Sequence, residues 1–543
     1  VSTVLGLMQD HPLSMPLLVD RLEQRFARKT VVTSTVEGRT VATFAEVAER
    51  VRRLAGALDA LAVPASAPVA TLGWNSQRHL ELYLAVPSAG RVLHTINQRL
   101  APADIEYIVN DAADDVIVVD RSLLDALWPL VDRLPTVRHI VVMDDGAGPA
   151  LPRDPRVVDY EALIASAAPA ATLSVPDERS AAALCYTSGT TGRPKGVLYD
   201  HRSIVLHALS FLFADTFGLG EADVVMPIVP MFHANAWGLP YAAILAGASL
   251  VLPGRAATPG RLADLVEHER VTVSGAVTTV WLSMLPHLRG RDLAALRRLA
   301  NGGGHLPLEL ARQYLDELGV PLVGTWGMTE ASPLVTSART PARTDVRPAG
   351  GTPPERLAAL CAAGYPSPLV GVRLARADGT LAPHDGVASG ELQINGPTVA
   401  AGYVGVDATD TITADGWLRT GDVGVIDPDG CVHVVDRLKD LIKSGGEWIG
   451  SAELENAVLT HPGVEEAAVV ARPDETWGER PVAYVVERPG AGLTGAAIRS
   501  HLEGRVARWW IPEDVLIVTD IPRTPTGKIA KRQLREAGVT PPR

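Results

Sequence analysis

Residues Tyr186 to Val197 read Tyr-Thr-Ser-Gly-Thr-Thr-Gly-Arg-Pro-Lys-Gly-Val and follow a short apolar run, Ala181 to Leu184. A buried strand that opens into a glycine loop constrains the fold more than any other stretch of this chain. Glycines let a backbone turn tightly and bring its N–H groups up to an anion. Thr187, Ser188, Thr190 and Thr191 add uncharged donors, Gly189 and Gly192 the turns, and Lys195 a charge. This is the composition of a loop that holds a polyphosphate. It is not the Walker pattern, because no Gly-Lys-Ser/Thr closes it, and a plain surface turn can share its composition.

The neighbouring segments fit a layered fold. Strand-like runs at Val69–Leu72, Arg91–Thr95, Asp115–Asp120 and His139–Met143 alternate with helical patterns such as Phe44–Leu61 and Pro102–Asn110. That rhythm predicts a parallel α/β domain. Asp145–Pro176 reads as an exposed connection, and Thr336–Pro353, rich in Thr, Arg and Pro, as a loop. Ser203–Phe213 reads as a helix that Asp200 or His201 caps. The most apolar stretch, Trp237–Leu252, is too short for a membrane span and is broken by Pro240, Gly247 and Ser249. It reads as a buried helix, a turn and a strand. Near the C-terminus, Ser451–Leu459 is expected to be a helix with serine at its cap and Glu453 and Glu455 in its first turn. Strands at Glu465–Ala471, Pro481–Val486 and Val515–Thr519 and helices at Thr494–Trp510 and Lys531–Ala537 complete a small unit.

A chain of 543 residues is too long for one core, and 47% apolar residues can fill more than one. A formal net charge of -12 argues against a general nucleic-acid binder. Cys185, Cys361 and Cys431 are sparse and widely spaced, which suits free thiols in a reducing cytosol, and they lack metal-ligand spacing among themselves. No basic stretch followed by an apolar core opens the sequence, so no secretory signal is expected and the expected location is cytoplasmic.

Further motifs carry candidate chemistry. Val229-Pro230-Met231-Phe232-His233-Ala234-Asn235-Ala236-Trp237 is a turn after a strand; a lone His or Trp there is more often structural. Gly302-Gly303-Gly304 and Gly324-Thr325-Trp326-Gly327-Met328-Thr329-Glu330 offer flat backbone for a planar base, an aromatic to stack on it, and a carboxylate for a hard cation. In Gly416-Trp417-Leu418-Arg419-Thr420-Gly421-Asp422 the aspartate can accept both hydroxyls of a ribose, although an ordinary Asx turn looks the same. Asp436-Arg437-Leu438-Lys439-Asp440 precedes Lys443-Ser444-Gly445-Gly446-Glu447-Trp448. Pro522-Arg523-Thr524-Pro525-Thr526-Gly527-Lys528 places a lysine after a tight turn.

In this order, over Tyr186 to Lys528, these motifs resemble those of the adenylate-forming enzymes, and most closely the medium- and long-chain fatty acyl-CoA synthetases. The resemblance implies an α/β fold: a large layered N-terminal domain of several subdomains over residues 1–435, a hinge at 436–439, and a small mobile C-terminal α+β lid over 440–543. It implies ATP, Mg²⁺ and coenzyme A as reactants and cofactor, and an acid–thiol ligase that makes acyl-CoA, AMP and pyrophosphate through an acyl-adenylate. An aryl or short branched acid, or an acyl-carrier protein as acceptor, is the alternative. A homodimer is a further expectation.

The family's roles fall on residues of this chain as follows. Thr187 to Lys195 hold the phosphates, with Thr187 and Glu330 on the metal. Gly302, Gly303, Gly304, Thr325, Trp326, Gly327, Met328 and Thr329 line the base. Asp422 and Arg437 take the ribose, and Lys443 and Trp448 lie near the adenylate. His233 borders the reacting carboxylate, and Trp237, Val277 and Thr278 form the acyl pocket. Lys439, Ser444, Gly445 and Gly446 face CoA, and Lys528 is the mobile catalytic lysine. The family usually has tyrosine where this chain has Trp326, so a phenol hydroxyl is absent.

Overall fold

The computed structural model describes residues 6–187, 193–339, 353–407, 409–445, 447–524 and 529–537. Two compact units emerge: residues 1–186 with 196–257, and residues 187–195 with 258–543.

In the first unit, a mostly parallel sheet runs in the order Val157–Asp159, His139–Met143, Val116–Asp120, Pro68–Leu72, Val92–Thr95, Ala181–Tyr186, Gly196–Asp200. Only the last pair is antiparallel, with Cys185 opposite Val197 and Tyr186 opposite Gly196, and the glycine-rich stretch of the sequence connects these two strands. A second set of strands runs Val224–Pro227, Ser249–Leu252, Thr30–Ser34, Arg39–Thr43. The strands Thr30–Ser34 and Arg39–Thr43 precede the helical pattern read at Phe44–Leu61. The helix Phe44–Ala60 follows them and is closed by a capping box between Thr43 and Glu46. Asp200 caps the helix His201–Ser210, accepting from Ser203 N–H. The expected exposed connection at Asp145–Pro176 instead contains a strand, Val157–Asp159, and the helix Tyr160–Ser166. Tyr160 is fully buried there with its hydroxyl on Glu81 at 2.8 Å, a tertiary anchor that local composition does not reveal.

In the second unit, parallel strands Val273–Ala276, Arg298–Asn301 and Leu322–Gly327 continue antiparallel into Leu334–Ser337 and Tyr365–Pro366. The expected loop at Thr336–Pro353 therefore begins as strand, and residues 340–352 lie outside the described residues. An antiparallel meander follows: Gly371–Ala375, Ser389–Asn395, Leu418–Ile426, Val432–Arg437. Its inner face buries Leu374, Leu392, Ile394 and Leu418 with Trp326.

The C-terminal part builds a separate sheet in the order Glu447–Ile449, Ile442–Ser444, Gly478–Glu487, Val464–Asp474, with Asp514–Val518 parallel to Gly478–Glu487. Ile442, Leu454, Val469, Val485 and Ile498 belong to its core. Three local expectations change here. The helix beginning at Ser451 is preceded by Gly450 as its cap residue; Ser451 is the first helical residue, and its backbone N–H and hydroxyl go to Asp436. Glu455 is not a solvated dipole partner, because its side chain is mostly buried, accepts from Val469 N–H and pairs with Lys531 at 2.8 Å. The expected helix at Thr494–Trp510 stops at Leu502; Gly504 at φ +74° turns the chain, and Arg508–Trp510 forms a separate short turn.

Candidate active site

The second unit gathers most of the residues expected to meet the nucleotide. The strand Leu322–Gly327 presents Trp326 against the meander, and a register shift between Trp326 and Gly327 ends regular pairing there. Gly327 must be glycine: a Cβ would sit 2.1 Å from Pro333 O. Trp326 Nε1–H donates to Asp422 Oδ2 at 2.8 Å, and Arg437 Nε reaches Asp422 Oδ1 at 2.5 Å. Asp422 and Arg437 are directly opposite in neighbouring strands, which is why two residues fifteen apart meet. Asp422 N–H in turn donates to Thr420 Oγ1 at 3.0 Å. An aromatic plane, a buried carboxylate and a guanidinium thus share one corner.

Glu330 lies a short turn beyond Trp326 and is buried. Its Oε1 accepts from the Tyr403 hydroxyl at 2.5 Å. Burial, then the Glu330 charge, push the Tyr403 phenol well above its ordinary range, so it stays a donor. Lys195 Nζ stands over the ring, 5.0 Å from its centroid, a cation–π distance. Lys195 and Thr187 close the loop's ends on each other: Thr187 N–H donates to Lys195 O at 2.9 Å, and Lys195 N–H to Thr187 Oγ1 at 3.2 Å. Ser188 to Gly192 lie outside the described residues. Tyr403 therefore links the carboxylate expected at the metal to the lysine expected at the phosphates. It sits in Ala-Gly-Tyr-Val-Gly, a stretch with no motif signal.

The glycine turn Gly302-Gly303-Gly304 follows the strand Arg298–Asn301. Gly303 has φ +74°, and Asn301 Nδ2 holds Gly304 O at 3.1 Å. Thr325 Oγ1 donates to Asn301 O, and Thr278 Oγ1 reaches Asn301 Oδ1, both at 2.9 Å. Asn301 thus ties the base-side glycines, Thr325 and Thr278 together. Val277 precedes the helix Thr278–Leu288 as its cap. Met328 N–H donates to Pro333 O at 3.0 Å, and Thr329 opens the turn that carries Glu330.

On the C-terminal sheet, Lys443 faces Trp448 across a hairpin, with Nζ 5.6 Å from the ring. Trp448 is half exposed. Gly445 has φ +61°, and a Cβ there would lie 2.9 Å from the Trp477 ring. Ser444 is buried against Arg480. Burial lowers the Lys439 ammonium pKa. Gly446 and Lys528 lie outside the described residues.

In the first unit, the segment around His233 is held by side chains from the N-terminal third. Asn75 Nδ2 donates to Pro227 O and Val229 O, both at 2.9 Å, and its Oδ1 accepts from Met231 N–H at 2.8 Å. The Tyr83 hydroxyl donates to Met231 O, and Thr95 Oγ1 to Phe232 O at 3.3 Å. Ala234, Asn235, Ala236 and Trp237 then all adopt positive φ, between 42° and 56°, before Gly238 at 72°. A left-handed turn costs L-residues about 1–2 kcal/mol each. Buried Asn235 anchors it, accepting from Cys185 Sγ at 2.9 Å and donating to the Tyr241 hydroxyl at 3.3 Å. Sequence reading placed His233 and Trp237 here but missed Tyr83, Thr95 and Asn75, although Asn75 stands in a conspicuous Gly73-Trp74-Asn75-Ser76 turn.

A layered α/β body followed by a small α+β unit, with a hydroxyl-rich loop and an aromatic–carboxylate corner, defines an adenylate-forming enzyme. The AMP-binding enzyme family matches residues 19–404, and its C-terminal domain matches residues 453–528. A long-chain-fatty-acid–CoA ligase of Thermus thermophilus is 45% identical over 535 residues, 97% of this chain and 96% of its own. A medium-chain-fatty-acid–CoA ligase of Ectopseudomonas oleovorans is 40% identical over 536 residues, 98% and 97% of the two chains. The ATP-bound crystal structure of MatB from Rhodopseudomonas palustris superposes with a TM-score of 0.82 at 27% identity, covering 96% of this chain and 98% of that one. The chain belongs to the AMP-binding enzyme family, as an AMP-forming acid–CoA ligase. Among the described residues, no helix is long and apolar enough to cross a membrane.

Proposed function

We propose that this enzyme activates a medium- or long-chain fatty acid with ATP and transfers the acyl group to coenzyme A. The observation that carries the reading is the corner in which Trp326 and Arg437 hold the two oxygens of Asp422, in the same unit as Glu330, Tyr403 and Lys195. These groups suit a base, a ribose and a polyphosphate. The fatty-acid preference is supported by likeness to the two ligases named above.

A carboxylate is a poor acyl donor because oxide would have to leave. One oxygen of the acid attacks the α-phosphorus of ATP, the bond to the β-phosphate oxygen breaks, and pyrophosphate departs with the electron pair. The CoA sulfur, as thiolate, then attacks the acyl carbonyl, and the bond to AMP breaks. Anionic partners must meet, so positioning and charge stabilisation dominate. Asp422 orients the ribose, Lys195 and the Thr187–Gly192 loop hold the β- and γ-phosphates, and Lys528 stabilises the reacting α-phosphate. The hard-oxygen chemistry of Glu330 and the Thr187 hydroxyl fits Mg²⁺, which when bound there supplies charge neutralisation to the phosphates. We assign residues 1–435 to adenylation, 436–439 to a hinge and 440–543 to a lid; rotation at the hinge withdraws Lys528 and presents Ser444, Gly445 and Gly446 to CoA. We place the enzyme in the cytoplasm, as a homodimer.

The test is Lys528→Ala. It removes a positioned charge from the first transition state alone, so acid-dependent pyrophosphate release slows by roughly a hundred- to a thousandfold. Thioester formation from supplied acyl-adenylate stays near the wild-type rate. Equal loss in both half-reactions would overturn the assignment. A pyrophosphate-release ladder over acyl chain lengths, with aryl acids and carrier protein as comparison arms, tests the substrates; a maximum at aryl acids would overturn the fatty-acid preference.

A further inference from the structure

The cysteines have no metal-ligand spacing among themselves, but folding gives Cys431 two other partners. The strands Leu418–Ile426 and Val432–Arg437 are joined by Asp427-Pro428-Asp429-Gly430-Cys431. Asp427 N–H donates to Cys431 O and Gly430 N–H to Asp427 O, both at 2.9 Å, and Gly430 takes φ +90°. This tight turn sets residues 427 and 431 against each other. Cys431 and His433 are two apart along an extended chain, so they share a face. The result is a trio: a carboxylate oxygen of Asp427, Cys431 Sγ and a ring nitrogen of His433 all lie within 4.8 Å of one another. Among the described residues no other trio of His, Cys, Asp or Glu donors is gathered so closely.

The trio is partly preformed. His433 Nε2 and Asp427 Oδ2 are already 2.7 Å apart, with side chains 44% and 37% exposed, so both can turn toward a common centre. Cys431 is buried. The neighbouring carboxylate of Asp429 is engaged elsewhere, accepting from the Tyr365 hydroxyl at 2.7 Å. Donor atoms within 4.8 Å of one another can converge on one ion at zinc bond lengths of about 2.0–2.3 Å. A mixed sulfur, nitrogen and oxygen set suits a borderline-soft cation and not magnesium, which takes oxygen.

We propose that Asp427, Cys431 and His433 bind one thiophilic divalent cation of the zinc class, with water at the fourth position. Binding replaces the thiol S–H bond by a metal–thiolate bond and releases that proton to solvent. The site lies at the turn of the hairpin whose far end pairs Asp422 with Arg437, so the ion braces the hairpin without touching either residue.

The experiment uses the full chain, freed of metal by chelation and without ATP. Zn²⁺ is titrated by calorimetry and Co²⁺ by absorption. One ion per chain is expected, with a near-ultraviolet thiolate-to-cobalt band that excess Mg²⁺ does not displace. Cys431→Ser abolishes the band. His433→Gln and Asp427→Asn, at half-exposed positions, weaken zinc binding by at least the roughly 10–100-fold lost when outer-shell groups of metal sites are changed. All three keep wild-type pyrophosphate release. In the unmutated chain, zinc slows alkylation of Cys431, read by peptide mapping, which needs no variant to fold. No stoichiometric binding, a cobalt band surviving in Cys431→Ser, or unprotected Cys431 would each overturn the proposal.

Discussion

The indole N–H of Trp326 donates to Asp422 Oδ2 at 2.8 Å, across ninety-six residues of sequence. That contact makes Trp326 more than a stacking surface. Here the aromatic also fixes the rotamer of the carboxylate that the ribose is expected to meet. A hydrogen bond to a charged group is worth about 1.5–3 kcal/mol, and part of that reaches the nucleotide through Asp422.

Trp326→Phe keeps a ring face and loses the donor. The KM for ATP rises roughly tenfold, the lower end of that range. With 2′-deoxy-ATP the penalty shrinks, because one hydroxyl that Asp422 would hold is already gone. Pyrophosphate release with both nucleotides checks this; equal penalties would mean that the indole acts only by packing.

Tyr403 has two separable contacts. Tyr403→Phe retains the ring beneath Lys195 and removes the donor to Glu330, so adenylation kcat falls about tenfold while KM for ATP hardly moves. Tyr403→Ala also removes the cation–π platform, adding roughly a fivefold rise in KM. Steady-state kinetics on the pair read out the split, and identical behaviour of the two variants would contradict it.

The left-handed turn at Ala234–Trp237 limits what residue 236 can be. Ala236 has φ 51° and ψ 41° and is fully buried. A β-branched residue is an outlier in that region, and two extra methyls overpack the site. Ala236→Val destabilises by roughly 2–4 kcal/mol, seen as a lowered Tm. Ala236→Gly trades the relieved backbone against one lost buried methyl and stays near wild type.

Burial pushes the imidazole pKa of His207 down to about 3 and those of His79 and His201 to about 4. Below about pH 6.5 the unfolded chain takes up protons that the native state refuses, so stability rises with pH between about 4 and 6.5 and is lost on acidification. Asp120 opposes this: burial raises it to about 7, so it holds a proton that the unfolded chain gives up above about pH 4. Burial also raises Asp114, Glu453 and Glu455, which act with Asp120, and lowers His305 and His501, which act with the other imidazoles; five imidazoles outnumber four carboxyls. The Tm therefore falls from pH 6.5 to 4.5, and His207→Phe makes that slope shallower by one proton. A thermal-shift series across this range measures both.

Much of the fold was legible because its signals are local. Alternating apolar runs and helical patterns announced the layered α/β architecture, and Asp200 could be read as a cap. Signals failed where tertiary contacts decide. Tyr160 anchors a segment that looks like exposed linker, Ser451 and Glu455 turn inward to Asp436 and Lys531, and the helix expected over Thr494–Trp510 stops at Leu502. The site divides the same way. Trp326, Glu330, Asp422 and Arg437 stand in recognisable motifs, whereas Tyr403, Asn75 and Asn235 act through geometry alone.

By itself the sequence determined the fold class and the enzyme class, since glycines, hydroxyls and charges at set spacings are written in order along the chain. Only the tertiary structure decided that Trp326 grips Asp422, that Tyr403 stands between Glu330 and Lys195, and that Cys431 meets His433 and Asp427. Each of these depends on strand register or on a turn, which bring together side chains that neither spacing nor composition relates.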